Sequence, residues 1–94
     1  MPATTRNPAL ALAFGESIRA LRESLGVAQE ALALNAGMDR SYLGKLERGE
    51  KQPSLDIVFR LAVVLDISPS ELVEKVSKRV LVMQRRANAV NRRA

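Results

Sequence analysis

The sequence predicts an all-α fold of five helices, the last of them extended toward the carboxyl terminus. Three observations support this class. Every substantial segment carries apolar residues at helical spacing, no stretch shows the alternation of a half-buried strand, and glycine or proline separates the segments. The chain has 94 residues, of which 47% are hydrophobic, so its length suits one compact domain with a modest core.

The first two helices are predicted from their end signals. The first should begin near Pro8, which suits a first turn, and end at Gly26. A second, short helix should run from Gln29 to Ala36, where Gly37 allows a sharp exit. The apolar residues expected inside are Phe14, Ile18, Leu21 and Leu25 on the first helix, and Leu32 and Ala33 on the second.

The remaining helices carry cap signals. Asp39 is a suitable N-cap for a third helix, Arg40 to Arg48, and Ser54 for a fourth. The segment Ser68-Pro69-Ser70-Glu71 has the pattern of a capping box, and no helix breaker follows before about Val90. The inner positions of the fourth helix are expected to be Leu55, Val58, Leu61, Ala62 and Leu65.

Composition excludes several classes of function. The chain has no cysteine and no histidine, which removes disulfides, thiol chemistry, the usual transition-metal ligand sets and imidazole catalysis. No nucleophile and base are arranged together, and no glycine loop suited to phosphate is present. We therefore expect a protein that is not an enzyme and that uses no cofactor and no metal.

Hydropathy also argues against a membrane protein. The apolar stretch from Ala9 to Phe14 is too short for a signal sequence, and no run approaches the ~18 apolar residues that cross a bilayer. We expect a cytoplasmic, nucleoid-associated protein with no membrane partner.

The net charge of +5 is unevenly distributed. Six cations and no acids follow residue 76, whereas residues 1–76 carry nine cations and ten acids. The body is therefore not basic, and a nucleic-acid function must depend on where its cations lie.

The second and third helices and the turn containing Gly37 match a helix-turn-helix, whose second helix enters the major groove of DNA. At ~100° per residue, Leu43 and Leu46 lie on one side of the third helix. The opposite side carries Arg40, Ser41, Gly44, Lys45 and Arg48. Gly44 costs ~1 kcal/mol in a helix interior; it either allows close approach to DNA or is merely tolerated.

Residues 15–74 resemble the Cro and phage-repressor type of helix-turn-helix regulators, also called the xenobiotic response element family. The resemblance rests on Ile18-Arg19-x-Leu21-Arg22, Gln29-Glu30-x-Leu32-Ala33, Ala36-Gly37, Ser41-Tyr42-Leu43, Leu46-Glu47-Arg48-Gly49, Pro53-Ser54-Leu55 and Leu61-Ala62. It implies a bundle of five helices and a transcriptional regulator, usually dimeric, that binds double-stranded DNA.

The resemblance also implies roles for individual residues. Gln29 would contact phosphate or brace the second helix. The base-edge readers would be Arg40, Ser41 and Lys45, and the backbone clamps Tyr42 and Arg48. Arg22 and Glu47 stand where family members often hold an ion pair. Ala28 replaces the usual Ser or Thr cap, at a cost of ~1 kcal/mol.

The sequence therefore predicts a sequence-specific regulator, acting as a dimeric repressor or autoregulator on a pseudo-palindromic operator. The alternative is an antitoxin or another protein-interaction module with the same fold. RNA and single-strand binding are disfavoured because only three aromatic residues are present and both phenylalanines, Phe14 and Phe59, are expected in the core.

Three segments are expected. Residues 1–7 form a flexible N-terminus, residues 8–75 the DNA-binding domain, and residues 76–94 a basic C-terminal helix or tail. This tail would attract DNA phosphates or support a homodimer, and Leu81 could pack back onto the domain. The heptad seam expected for dimerisation comprises Val73, Val76, Val80, Met83, Ala87 and Val90.

Overall fold

The computed structural model describes residues 7–93, with side chains described for residues 7–89. It confirms the all-α class. The five helices are α1 (Pro8–Ser24), α2 (Gln29–Asn35), α3 (Arg40–Glu47), α4 (Leu55–Val64) and α5 (Pro69–Arg93). Each begins at its predicted residue or within one position of it, because the end signals are local in the chain.

The helix ends differ in how they are capped. At the start of α1 the Asn7 side chain accepts a hydrogen bond from the backbone amide of Leu10, and at the start of α4 the Ser54 side chain accepts one from the backbone amide of Ile57. At the start of α5 the Ser68 hydroxyl accepts a hydrogen bond of 3.1 Å from the backbone amide of Glu71, and it donates one of 3.2 Å to the Glu71 carboxylate. Ala28 caps α2 without a side-chain bond, as expected. Asp39 occupies the N-cap of α3, but its side chain makes no capping bond, so the predicted cap is only positional.

Helix α1 is the centre of the bundle and makes its most extensive contacts with α5 and α3. Gly15 lies against the carbonyl groups of Leu46 and Glu47 at the end of α3. Ser17 and Leu21, on the other side of α1, line a cavity shared with the α5 residues Lys75 and Arg79. Since positions 15 and 17 are about 200° apart on a helix, α3 and α5 pack on opposite sides of α1.

The core contains most, but not all, of the apolar residues that the sequence predicts to be buried. Its fully buried large side chains include Ile18, Leu32, Leu43, Leu46, Leu61 and Leu72. Three predictions of burial were wrong: Leu25 is 53% exposed, Leu55 72% and Phe59 50%. Leu25 is the C-cap of α1, beyond the last residue that faces α3 or α5. Leu55 and Phe59 lie on a face of α4 that no other described helix covers.

The heptad seam expected on α5 is largely used inside the same chain. Val76 is buried, and Val80 and Met83 pack against the core. These three residues of the predicted seam therefore pack within this chain, whereas Val73 is 53% exposed and Ala87 is exposed, so dimerisation through α5 stays a prediction. Leu81, expected to fold back onto the domain, is 45% exposed instead. The division proposed at residue 76 lies within the continuous helix α5, and the side chain of Val90 lies outside those described.

Candidate DNA-binding surface

The orientation of α3 is set by its contact with α2 and by the turn between them. Leu32 and Ala33 of α2 and Leu43 and Leu46 of α3 are buried together in the core. Gly37 has φ of 71°, a left-handed conformation that glycine adopts without the steric cost of a side chain. The outward sides of the two helices are thereby held at a fixed angle, as in a helix-turn-helix.

A shallow concavity lies on the outer side of α2 and α3. It is lined by Gln29, Arg40, Ser41, Gly44 and Arg48. None of these residues is acidic, and both arginines are exposed. An open surface with two guanidinium groups, a hydroxyl and an amide offers hydrogen-bond donors to an anionic ligand such as a phosphate backbone.

Four of the six predicted site residues therefore line one surface. The two others, Tyr42 and Lys45, are half-buried and lie on α3 outside the concavity. Tyr42 packs against the hydrophobic core through its ring. Of the residues that the helical wheel placed on one face of α3, Arg40, Ser41 and Arg48 line the concavity with Gly44, whereas Lys45 lies outside it.

The predicted ion pair between α1 and α3 is confirmed. Arg22 donates to Glu47 through Nε at 2.7 Å and through Nη2 at 3.0 Å, and its Nη1 donates to the carbonyl of Val27 at 3.0 Å. The two side chains are only 13% and 4% exposed. The hydrogen bond to Glu47 raises the pKa of Arg22, although burial acts in the opposite direction.

Gln29 connects this buried pair to the open surface. Its amide nitrogen donates to Glu47 Oε1 at 2.9 Å, and its amide oxygen lies 3.5 Å from Arg40 Nε. The bracing role expected for Gln29 is therefore visible, because one side chain joins α2 to α3. Arg22, Gln29 and Glu47 form a polar network that joins α1, α2 and α3.

Gly44 makes room for two side chains of the surface. A Cβ at this position would lie 3.2 Å from Arg48 Nη1 and 3.8 Å from the Gln29 amide. The glycine thus leaves space beside α3 that the ends of these two side chains border.

Arg48 also has an acidic neighbour in the next turn. Its Nε donates to Glu50 Oε2, and this contact raises the pKa of Arg48 and lowers that of Glu50. Both side chains are exposed, so the pair is weak and can exchange partners. One cation of the surface is therefore partly neutralised in the free protein.

Sequence reasoning missed Gly15 as a determinant of this site. A Cβ there would lie 2.8 Å from the Glu47 carbonyl carbon and closer still to the carbonyl oxygens of Leu46 and Glu47. The absence of a side chain lets α1 approach the end of α3. The signal was present, because a glycine inside a long helix needs a reason, but the partner helix could not be named from spacing.

This pair of helices with its solvent-facing cationic surface defines a helix-turn-helix protein. The family model with the description "Helix-turn-helix" (HTH_3) matches residues 18–72, which is more than half of the chain. The chain therefore belongs to this Cro-type family and is a DNA-binding transcriptional regulator.

Comparisons with individual proteins agree with the family. The chain is similar to the HTH-type transcriptional regulator YazB of Bacillus subtilis, with 44% identity over 63% of this chain and 86% of YazB. Among solved structures it is similar to the restriction-modification controller protein C.AhdI of Aeromonas hydrophila, with a TM-score of 0.64 and 47% identity over 66% and 94% of the two chains. The controller protein C.Esp1396I, solved as a tetramer with its natural 35-base-pair operator, matches with a TM-score of 0.70 and 25% identity over 77% and 95%.

In the part of the chain that the structure describes, we find no helix with both the length and the apolar character required to cross a membrane.

Proposed function

We propose that this protein binds a pseudo-palindromic operator in double-stranded DNA as a symmetric homodimer and acts as a repressor or autoregulator in the cytoplasm, at the nucleoid. Its role is binding without a catalytic step. The observation that carries the proposal is the concavity on the outer side of α2 and α3, whose lining residues include Arg40 and Arg48 and no acidic residue. An α-helix fits the major groove, so α3 is the element that reads sequence.

The proposed roles of the individual residues are those that the resemblance to the family implies. Arg40, Ser41 and Lys45 read base edges, since an arginine can bind guanine O6 and N7 with two hydrogen bonds. Tyr42 and Arg48 hold the phosphate backbone, and Gln29 contacts phosphate or braces the start of α2. The contact between Gln29 and Arg40 would aim that arginine toward the groove.

Selection of duplexes from a random library, followed by titration of the selected sequence, tests this assignment. Arg40→Ala or Lys45→Ala should each weaken specific binding by about 1–3 kcal/mol and relax the preference at one base pair. Arg19→Ala removes an exposed cation of α1 that lies outside the concavity and serves as the matched control. Undiminished affinity and base preference in both α3 variants would refute the proposal.

The two-fold contact is proposed to lie on α4. Leu55, Phe59 and Val63 recur every fourth residue and form one stripe, with exposed fractions of 72%, 50% and 74%. Beside Leu55 is an apolar groove formed with Leu10 and Val73. A stripe of this kind is complementary to itself when two helices cross, as a two-fold interface requires. The tetramer of the similar protein C.Esp1396I on its operator is consistent with such pairing.

Sedimentation equilibrium tests this contact. Phe59→Asp and Val63→Asp should each shift the protein from dimer to monomer, because a charge would be buried without a partner. Leu25→Asp introduces the same charge at a similarly exposed leucine on α1 and should leave the dimer intact. If Phe59→Asp and Val63→Asp still sediment as dimers, the two-fold contact lies elsewhere.

A further inference from the structure

The last part of α5 projects beyond the body of the protein. Met83 is the last side chain of this helix that packs against the core. The described side chains that follow it, residues 84–89, are all exposed, while the helix continues to Arg93. We name residues 84–93 the basic arm. As a helix it is about 15 Å long.

The charge of the basic arm differs from that of the rest of the protein. Its sequence, QRRANAVNRR, contains four arginines and no acid. On the body of α5, Lys78 lies 3.5 Å from Glu74, and Arg79 lies 3.9 Å from Glu16. Arg85 and Arg86 have no ion pair among the described residues. Within the described part of the arm, Arg85 and Arg86 thus carry positive charge that no described carboxylate pairs with.

The basic arm begins outside the reading surface: Arg86 lines a separate cavity with Glu16 and Arg79 and shares no lining residue with the concavity of α2 and α3. Helices α3 and α5 pack on opposite sides of α1, at the positions of Gly15 and Ser17. A duplex seated against the concavity of α2 and α3 therefore leaves the exposed arm open to contact with a different molecule.

The composition of the arm favours nucleic acid over an acidic protein. Interfaces between proteins depend on large apolar or aromatic anchors, and the arm has none beyond one valine. Arginine, asparagine and glutamine donate hydrogen bonds to phosphates and base edges, and the two alanines allow close approach. A continuous basic helix of this kind can enter the major groove of a duplex.

We propose that the basic arm is a second duplex-DNA-binding surface, independent of sequence, so that a protein held on its operator by α3 can also hold another segment of DNA. The attraction is mainly to phosphates. The binding constant therefore falls steeply as salt concentration rises. Each phosphate contact adds about 0.9 to the steepness of the plot of its logarithm against the logarithm of salt concentration.

A capture experiment with the full chain tests this arm. The selected operator duplex is immobilised and saturated with protein, and retention of a labelled duplex of unrelated sequence is measured. The wild-type protein should retain it at low salt, whereas Arg85→Gln/Arg86→Gln should reduce retention by about ten-fold or more at 50 mM salt. Operator affinity and melting temperature should be unchanged. Arg19→Gln/Arg60→Gln makes the same change of charge on the body and should retain the duplex.

Several results would overturn the proposal. They are no retention by the wild-type protein, equal retention by the arm variant, an equal loss in the control, or a parallel loss of operator affinity in the arm variant. The last would place the arm on the operator itself. In an Arg40→Ala/Lys45→Ala background, binding of the unrelated duplex should persist and still require Arg85 and Arg86. This arrangement separates failure of the arm from failure of α3 as the reading helix.

Discussion

Replacement of Arg22 by alanine should destabilise the protein more than any other single loss of charge in the described structure. The Glu47 carboxylate is 4% exposed and accepts two hydrogen bonds from Arg22 and one from Gln29. In Arg22→Ala only the bond from Gln29 remains. An ionised carboxylate would then be buried without its counter-charge, and the carbonyl of Val27 would lose a donor as well.

The expected loss is about 3–5 kcal/mol in the free energy of unfolding, the usual result of removing one partner of a buried pair. Domains of this size are stable by only about 5–15 kcal/mol. At roughly 4–8 °C per kcal/mol, the melting temperature should fall by at least about 12 °C. Thermal and urea unfolding, each followed by circular dichroism, measure both quantities.

The pH dependence supplies a further check. Because the folded-state pKa of Arg22 is raised, its contribution is fully present below the pKa of an arginine in the unfolded chain and is lost only at more alkaline pH. Arg22 should therefore not make the free energy of unfolding depend on pH in the neutral range.

A loss of less than about 1 kcal/mol in the free energy of unfolding of Arg22→Ala would refute the argument. The paired change Arg22→Met/Glu47→Leu should recover most of the lost stability, because an apolar pair leaves no buried charge.

Three further predictions follow from local geometry. Ala28→Ser should raise the free energy of unfolding by about 0.5–2 kcal/mol in thermal melts by supplying the missing cap of α2, and a neutral result would mean that the α2 amides are already satisfied. Gly15→Ala should destabilise by about 1–3 kcal/mol or more because its methyl group would meet the α3 backbone, whereas Gly44→Ala, whose methyl group would meet only the ends of flexible side chains, is the control for a glycine inside a helix. Glu50→Gln should strengthen binding to all duplexes alike, since it releases Arg48, and unchanged affinity in a salt titration would show that this arginine stays off the DNA.

Much of the fold was predictable because the residues that begin and end a helix lie at its ends in the sequence. Pro8, Ser54 and the left-handed glycines stand at the helix ends where the sequence placed them. The errors arose where burial depends on a distant neighbour. Helix α4 is apolar over most of its circumference, so spacing could not show that Leu61 faces the core while Phe59 faces solvent.

Part of the candidate site was predictable for a similar reason, and the part that depends on packing between helices was not. The polar face of α3 follows from helical geometry, which brings Arg40, Ser41 and Arg48 together. The role of Gln29 as a link between Glu47 and Arg40 needed the actual packing of α2 on α3. Spacing also could not show that Val76, in the middle of the seam predicted on α5, is buried in this chain's own core.

The network of Arg22, Gln29 and Glu47 also affects how the protein would meet DNA. These side chains fix α3 against α1 and α2 before any duplex is present. Association then requires little ordering of the backbone and approximates the docking of rigid bodies. The heat-capacity change of binding should in that case reflect the apolar surface covered at the contact, without an added contribution from coupled folding. The encounter rate would be set by orientation and electrostatic steering rather than by a conformational step.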